Sequence, residues 1–136
     1  MRDFVLTTDT TCDLPKSFYQ DHGIEYVSMT YVINGVNYDE KGHELPSHEF
    51  YDMMRAGAMP TTAQVNSEEM RTVFEPIVRS GKDILHVAFS SGLSGSCNSM
   101  RLAAEAVMED YPGSRIIVLD SLSACMGEGL LLYYLD

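Results

Sequence analysis

Apolar residues fall into short blocks along the chain, and the spacing within those blocks changes from strand-like to helix-like. Phe4-Val5-Leu6 is a continuous apolar triplet, read as a short buried strand closed by the polar cluster Thr7 to Thr11. Asp13-Leu14-Pro15 predicts a helix start, with Asp as cap and Pro in the first turn, and Gly23 ends that helix. Ile24 to Ile33 is dense in β-branched and aromatic residues and predicts extended chain. Asn34-Gly35, followed by Val36-Asn37-Tyr38, predicts a hairpin, because a two-residue turn needs the positive φ these residues accept. Ser47 begins a second helix, with Phe50, Met53 and Met54 at helical spacing. Pro60 to Val65 reads as loop, and Asn66 with Glu69 as the capping box of a third helix running to about Gly81.

The second half repeats the strand–helix alternation. Asp83 to Phe89 is a strand, and Ser90-Ser91-Gly92-Leu93-Ser94-Gly95-Ser96 leads into a helix with Met100, Ala103, Ala104 and Val107 on one face. Pro112-Gly113 breaks that helix. Ile116 to Leu119 is a continuous apolar run and predicts a fully buried strand, ended by Asp120-Ser121 before a small-residue segment and a last helix. The fold class implied is α/β: a mostly parallel sheet flanked by helices, with the β-hairpin as an extension. Leu130 to Leu135 then Asp136 is an apolar helix end with no capping glycine and no polar closing turn. We therefore expect further protein, or a partner, to cover it.

Charge narrows the partners. The 136 residues carry a formal net charge of −11 with no basic cluster, which argues against nucleic acid and against an anionic membrane surface. No apolar run is long enough to span a bilayer, and no signal peptide is evident at the start. Cys12, Cys97 and Cys125 are odd in number and far apart, so reduced thiols in a cytoplasmic protein are the expectation. An anionic ligand must then be held by hydroxyls and backbone N–H groups rather than by a positive field.

Hydroxyls are concentrated where such a ligand would sit. In a parallel sheet, ligands bind at the carboxyl ends of the strands. Thr7 to Thr11 (with Asp9, Thr10 and Thr11), Ser90 to Ser96, and Asp120-Ser121 with Ser123 all leave such ends, and Pro60-Thr61-Thr62-Ala63-Gln64 joins two helices. The Ser90 to Ser96 loop opens a helix, whose first N–H groups and partial positive charge suit a carboxylate or phosphate. The plainer alternative is that these residues are caps and turn formers. Gly92-Leu93-Ser94-Gly95-Ser96 sits as a nucleophile elbow would, but Ser96 stands where G-x-S-x-G needs glycine. His86 lies inside a strand and is read as core, while His22, His43 and His48 have no assignable relation to Ser94. Gly127-x-Gly129 lacks the third glycine of a dinucleotide site, and no histidine pair has metal-ligand spacing. Met53, Met54, Met59, Met70 and Met100 read as core filler.

Four segments in order resemble the DegV family of bacterial fatty-acid-binding proteins. Thr8-Asp9-Thr10-Thr11-Cys12-Asp13-Leu14-Pro15 is similar to its D-S-T-x-D-L-P opening, and Pro60-Thr61-Thr62-Ala63-Gln64 to its P-x-T-S-Q. Ser90 to Ser96 is similar to S-S-x-L-S-G-[TS], and Asp120-Ser121 with Gly127 and Gly129 to D-S-x-x-x-S-x-G-x-G. Thr10, Ala63, Val65 and Cys125 depart from the pattern, and Ala63 removes one hydroxyl beside the expected ligand head. The resemblance implies residues 1–136 as the N-terminal α/β domain of a two-domain protein, stopping before a C-terminal domain. It also implies a long-chain fatty acid held between the domains and presented to a fatty acid kinase, with no cofactor, no metal and no catalysis by this chain. Its carboxylate is expected on Thr62, Ser90, Ser91, Ser94, Gly95 and Ser96, with Asp9, Thr10, Thr11, Asp120 and Ser121 as supporting strand-end positions. The competing expectations are a substrate-binding domain like that of dihydroxyacetone kinases, which uses a histidine, and an α/β hydrolase using Ser94.

Overall fold

A computed structural model describes residues 3–39 and 42–136. Four parallel strands form the central layer: β1 (Phe4–Asp9), β2 (Glu25–Val27), β6 (Asp83–Ala88) and β7 (Ile116–Asp120), in the order β2-β1-β6-β7. Helices α1 (Lys16–His22) and α5 (Met126–Leu135) cover one face, and α3 (Ser67–Arg79) and α4 (Ser96–Asp110) the other. Alternation along the strands feeds both. On β6, Ile84 and Ala88 join the α3–α4 core with Phe74, Met70 and Met100, whereas Val87 faces Leu6, Tyr19 and Leu132 on the α1–α5 side. The sheet is thus covered on both faces, as a parallel sheet requires.

The hairpin extension is a second sheet. β3 (Thr30–Ile33) pairs antiparallel with β4 (Val36–Tyr38) and also with β5 (Thr61–Ala63), and α2 (Ser47–Arg55) lies between the last two in sequence. Asn34 and Gly35 both have positive φ, 51° and 78°, as their turn predicts. The Asn66 capping box is present, with Glu69 N–H donating to Asn66 Oδ1 and Asn66 N–H to Glu69 Oε2, each at 2.9 Å.

Several expectations change. Pro60 to Val65 is not all loop, because Thr61-Thr62-Ala63 finds a partner in Thr30 to Val32. Ile24 to Ile33 is two strands in two sheets, divided at Ser28-Met29. The first strand runs on through Thr7, Thr8 and Asp9, all fully buried, while Phe4 at its start is exposed; burial lies at the polar end. Asp13 does not cap α1: it has φ 54° and closes the 3-10 turn Thr10–Cys12, and Pro15 holds the cap position without a side-chain bond. β7 is an edge strand with Ile117 exposed, not a fully buried one. Met70 and Met100 are core, but Met54 and Met59 are exposed.

Candidate functional site

The strand order turns the connections after β1 and β6 in opposite directions, outward to β2 and to β7, and a crevice opens between their carboxyl ends. The antiparallel sheet lies beside it. Between them is a groove of about 450 Å³ lined by Thr11, Met29, Thr30, Tyr31, Thr62, Ala63, Gln64, Phe89, Leu93 and Ser94. Three of the four hydroxyl-rich segments therefore meet on one wall system, each delivering one expected residue: Thr11, Thr62 and Ser94. Among the described residues lining this groove none is charged. Tyr31 and Thr62 also border a second groove of about 350 Å³ that continues over Leu45, Phe50 and Tyr51 and is lined as well by the carboxylates Asp13 and Glu44. Neutral hydroxyls against aromatic and aliphatic walls suit a ligand with a small polar head and an apolar body.

Ser90, Ser91, Gly95 and Ser96, expected on the carboxylate, do not line this groove, nor do Asp9, Thr10, Asp120 and Ser121; they hold the surrounding loops in place. Ser96 is buried; its Oγ accepts the Val65 N–H at 3.1 Å, and Ser94 Oγ lies 2.9 Å from Ser96 Oγ and accepts the Ser96 N–H at 3.1 Å. That set ties the end of β5 to the start of α4 and fixes the Ser94 rotamer. Gln64, the last residue of the Pro60–Gln64 segment but not among the expected ligand contacts, lines the groove with its side-chain amide against Gly95. Ser90 is buried and folds its own loop, its Oγ accepting the Gly92 N–H and its carbonyl accepting those of Leu93 and Ser94. Thr10 Oγ1 accepts the Met29 N–H at 2.9 Å and holds the crossing between the two sheets. Asp120 Oδ1 accepts the N–H groups of Ser91 and Leu122, both at 3.1 Å, and hydrogen bonding from the Ser91 side chain, with these N–H groups, holds its carboxyl below the usual carboxylate range. Ser121 N–H reaches the Ala88 carbonyl at 3.1 Å.

Beneath the groove lies a buried polar cluster. Asp9 Oδ1 accepts the Thr11 N–H at 3.0 Å and Oδ2 the Phe89 N–H at 2.9 Å. Glu128, on α5, is fully buried against Thr8 and Thr11. Sequence reasoning passed over it; its local signal was an acid between two glycines in an otherwise apolar helix. His86 is core, as its position inside a strand predicts. Its Nδ1 lies 2.8 Å from Thr7 Oγ1, its Nε2 3.2 Å from Met100 Sδ, and Phe74 packs edge-on at 5.4 Å. Burial pushes its pKa down to about 3, so the ring is neutral. Among the described residues no group of three or more His, Cys, Asp or Glu side chains is placed to hold a metal, all three cysteines are free, and no helix is long and apolar enough to cross a membrane.

Fold and groove together define a doubly covered α/β domain with a neutral, amphipathic cleft at the strand ends. Residues 3–135 match the family described as "Uncharacterised protein, DegV family", and the chain belongs to the DegV family. It is 44% identical over 135 residues to a DegV domain-containing protein of Clostridium perfringens, covering 98% of this chain and 46% of that protein. Among solved structures it resembles a stearic-acid-binding protein of Eubacterium ventriosum, with TM-score 0.89, 25% identity, and coverage of 97% of this chain and 46% of that one. It also resembles a fatty-acid-binding DegV family protein of Thermus thermophilus, with TM-score 0.84, 30% identity, and coverage of 98% and 46%. The chain spans about half the length of the curated relatives it matches.

Proposed function

We propose that the chain is the N-terminal half of a fatty-acid-binding protein, in which a second domain closes the groove and a fatty acid kinase receives the exposed carboxylate. The observation that carries this reading is the convergence of Thr62 and Ser94 hydroxyls beside Met29, Tyr31, Phe89 and Leu93 in a groove whose described lining holds no charged side chain. Thr62 and Ser94 donate to the carboxylate, and the apolar walls take the acyl chain. Both solved relatives named above are described as binding fatty acid. Each methylene buried contributes about 0.8 kcal/mol, so a long chain enclosed on one side only gains roughly half of what full enclosure would give, against an unchanged ordering cost. The 136-residue chain alone is therefore a weak binder.

No step of catalysis is assigned to this chain. Ser94 Oγ is engaged by Ser96, and no histidine lines the groove, which disfavours a hydrolase. The dihydroxyacetone-kinase-like reading needs a histidine at a strand end, whereas His86 is enclosed in the core. Native mass spectrometry of the full-length protein from a bacterial host tests the reading: a long-chain fatty acid is expected to co-purify, and reproducibly ligand-free protein overturns it. Thr62→Ala removes one hydrogen bond to a charged group, about 1.5–3 kcal/mol, and is expected to weaken retention by roughly 10- to 100-fold.

A further inference from the structure

Glu128 stands in a helix that is otherwise apolar, and it is buried together with Asp9. The neighbouring Gly129 makes this possible. A Cβ there would lie 2.6 Å from the Cys12 carbonyl oxygen, so only glycine lets α5 lie this close to the Thr10–Cys12 turn. Glu128 Oε2 then lies 2.9 Å from Thr11 Oγ1 and Oε1 3.5 Å from Thr8 Oγ1. Thr11 Oγ1 is also 2.5 Å from Asp9 Oδ1.

Hydrogens can be counted across these contacts, because each threonine hydroxyl has one to give. That of Thr8 goes to the Val87 carbonyl oxygen at 3.0 Å, an acceptor with no proton of its own. The single hydrogen of Thr11 can serve one of its two carboxyl neighbours. Asp9 is the ionised one, since two backbone N–H groups already donate to it. With Thr11 donating to Asp9, the contact between Thr11 and Glu128 is a hydrogen bond only when the proton comes from Glu128.

We propose that Glu128 is a protonated positioning residue whose carboxyl donates to Thr11 Oγ1, directs the Thr11 hydrogen onto Asp9, and leaves Thr11 facing the groove as an acceptor only. The ligand consequence rests on the fatty-acid reading: a carboxylate finds no donor at Thr11 and is steered to Thr62 and Ser94. Ionisation of Glu128 places two negative charges on either side of one half-buried hydroxyl. The hydrogen-bond pattern of that wall is then lost, and the ligand is held less well.

The surroundings fit. Among the described residues the titratable groups facing Glu128 are Asp9 at the end of β1, Cys12 and Asp13 around the turn, and Cys125 at the start of α5, none of them cationic. No ion pair among the described residues includes Asp9 or Glu128. Burial, with Asp9 adding to it, pushes Glu128 up to about 8, and burial raises Asp9 as well. The folded chain thus keeps a proton that the unfolded chain releases around 4.5. The stabilisation is complete below about 4.5 and is lost as pH rises to about 8.

The test uses the full-length protein, its Glu128→Gln variant, and stearic acid as probe. Infrared spectroscopy at neutral pH is expected to show a protonated carboxyl band in the wild type that is absent from the variant. Between about pH 6 and about pH 9 the delipidated wild type is expected to lose denaturant resistance while the variant changes less. Stearate release is expected to accelerate about tenfold over that range in the wild type only, the factor that one unit of coupling implies. Absence of the band at neutral pH overturns the proposal, and the wild type alone decides this should the variant fail to fold. A band that titrates without any change in stearate release overturns the positioning role. A titrating band in a protein that holds no stearate at any pH leaves the proton on Glu128 and overturns the fatty-acid reading instead.

Discussion

The parallel sheet and the antiparallel sheet are built to opposite rules. At the carboxyl end of β1 the residues Thr7, Thr8 and Asp9 are polar and completely buried, with every hydroxyl and carboxylate given a partner from another element. From Thr30 to Ala63, Ile33 is the only buried residue among those described, and α2 buries none. There the contacts are between half-exposed rings: Tyr31 with Tyr38 at 5.4 Å, and Tyr31 with Phe50 edge-on at 5.3 Å. The groove has one wall from each. A rigid base fixes where hydroxyls point, and a lightly packed arm supplies apolar surface that can adjust to the ligand body.

Removing packing from the base should do the most damage. Phe74 is fully buried between α3, α4 and His86, so Phe74→Ala is expected to cost about 3–5 kcal/mol in chemical denaturation and to lower the protection of the whole parallel sheet. A loss confined to the arm would mean that the base is not the cooperative unit. Ser96→Ala attacks the joint between the two regions. It leaves the buried Val65 N–H without its acceptor, expected to cost about 1–3 kcal/mol, and hydrogen exchange should quicken at Val65 and along β5 before it does in β6. Equal acceleration in both would show the regions to be one unit. Phe50→Ala is the mildest: aromatic pairs contribute about 0.5–1.5 kcal/mol, so the global midpoint should barely move while amides of β3 to β5 exchange faster. A large shift of the midpoint would place the arm in the core.

The two regions also differed in how far the sequence revealed them. The base was legible because each element carries its own period and boundary: the Asn66–Glu69 box, the Met100 to Val107 face, the apolar run into Asp120. β5 was not, since Thr61-Thr62-Ala63 has no apolar alternation and is a strand only because Thr30 to Val32 lies alongside. The break at Ser28-Met29 was hidden for the reverse reason, because both halves favour extended chain. Asp13 looked like a helix cap, but the same short side chain that caps also tolerates the left-handed backbone it adopts. Of the site, the hydroxyl-rich segments were visible, but which hydroxyls face the groove depends on strand order. Glu128 and Thr11 lie 117 positions apart, and no local pattern relates them.

The burial of His86 has a consequence for the solvent as well as for the core. His86 is held neutral down to about 3 against an ordinary 6.5, whereas Glu128 is held protonated up to about 8 against an ordinary 4.5. Unfolding near the middle of the shared interval puts a proton on the one and takes a proton from the other. From this pair, denaturation between about 4.5 and about 6.5 exchanges no net proton with the buffer, and stability is flat there. On the acid side the pair absorbs a proton as the chain opens, and on the alkaline side it sheds one, each at about 1.4 kcal/mol per pH unit. An imidazole and a carboxyl packed on opposite faces of one sheet thereby cancel each other's proton exchange in mildly acidic solution.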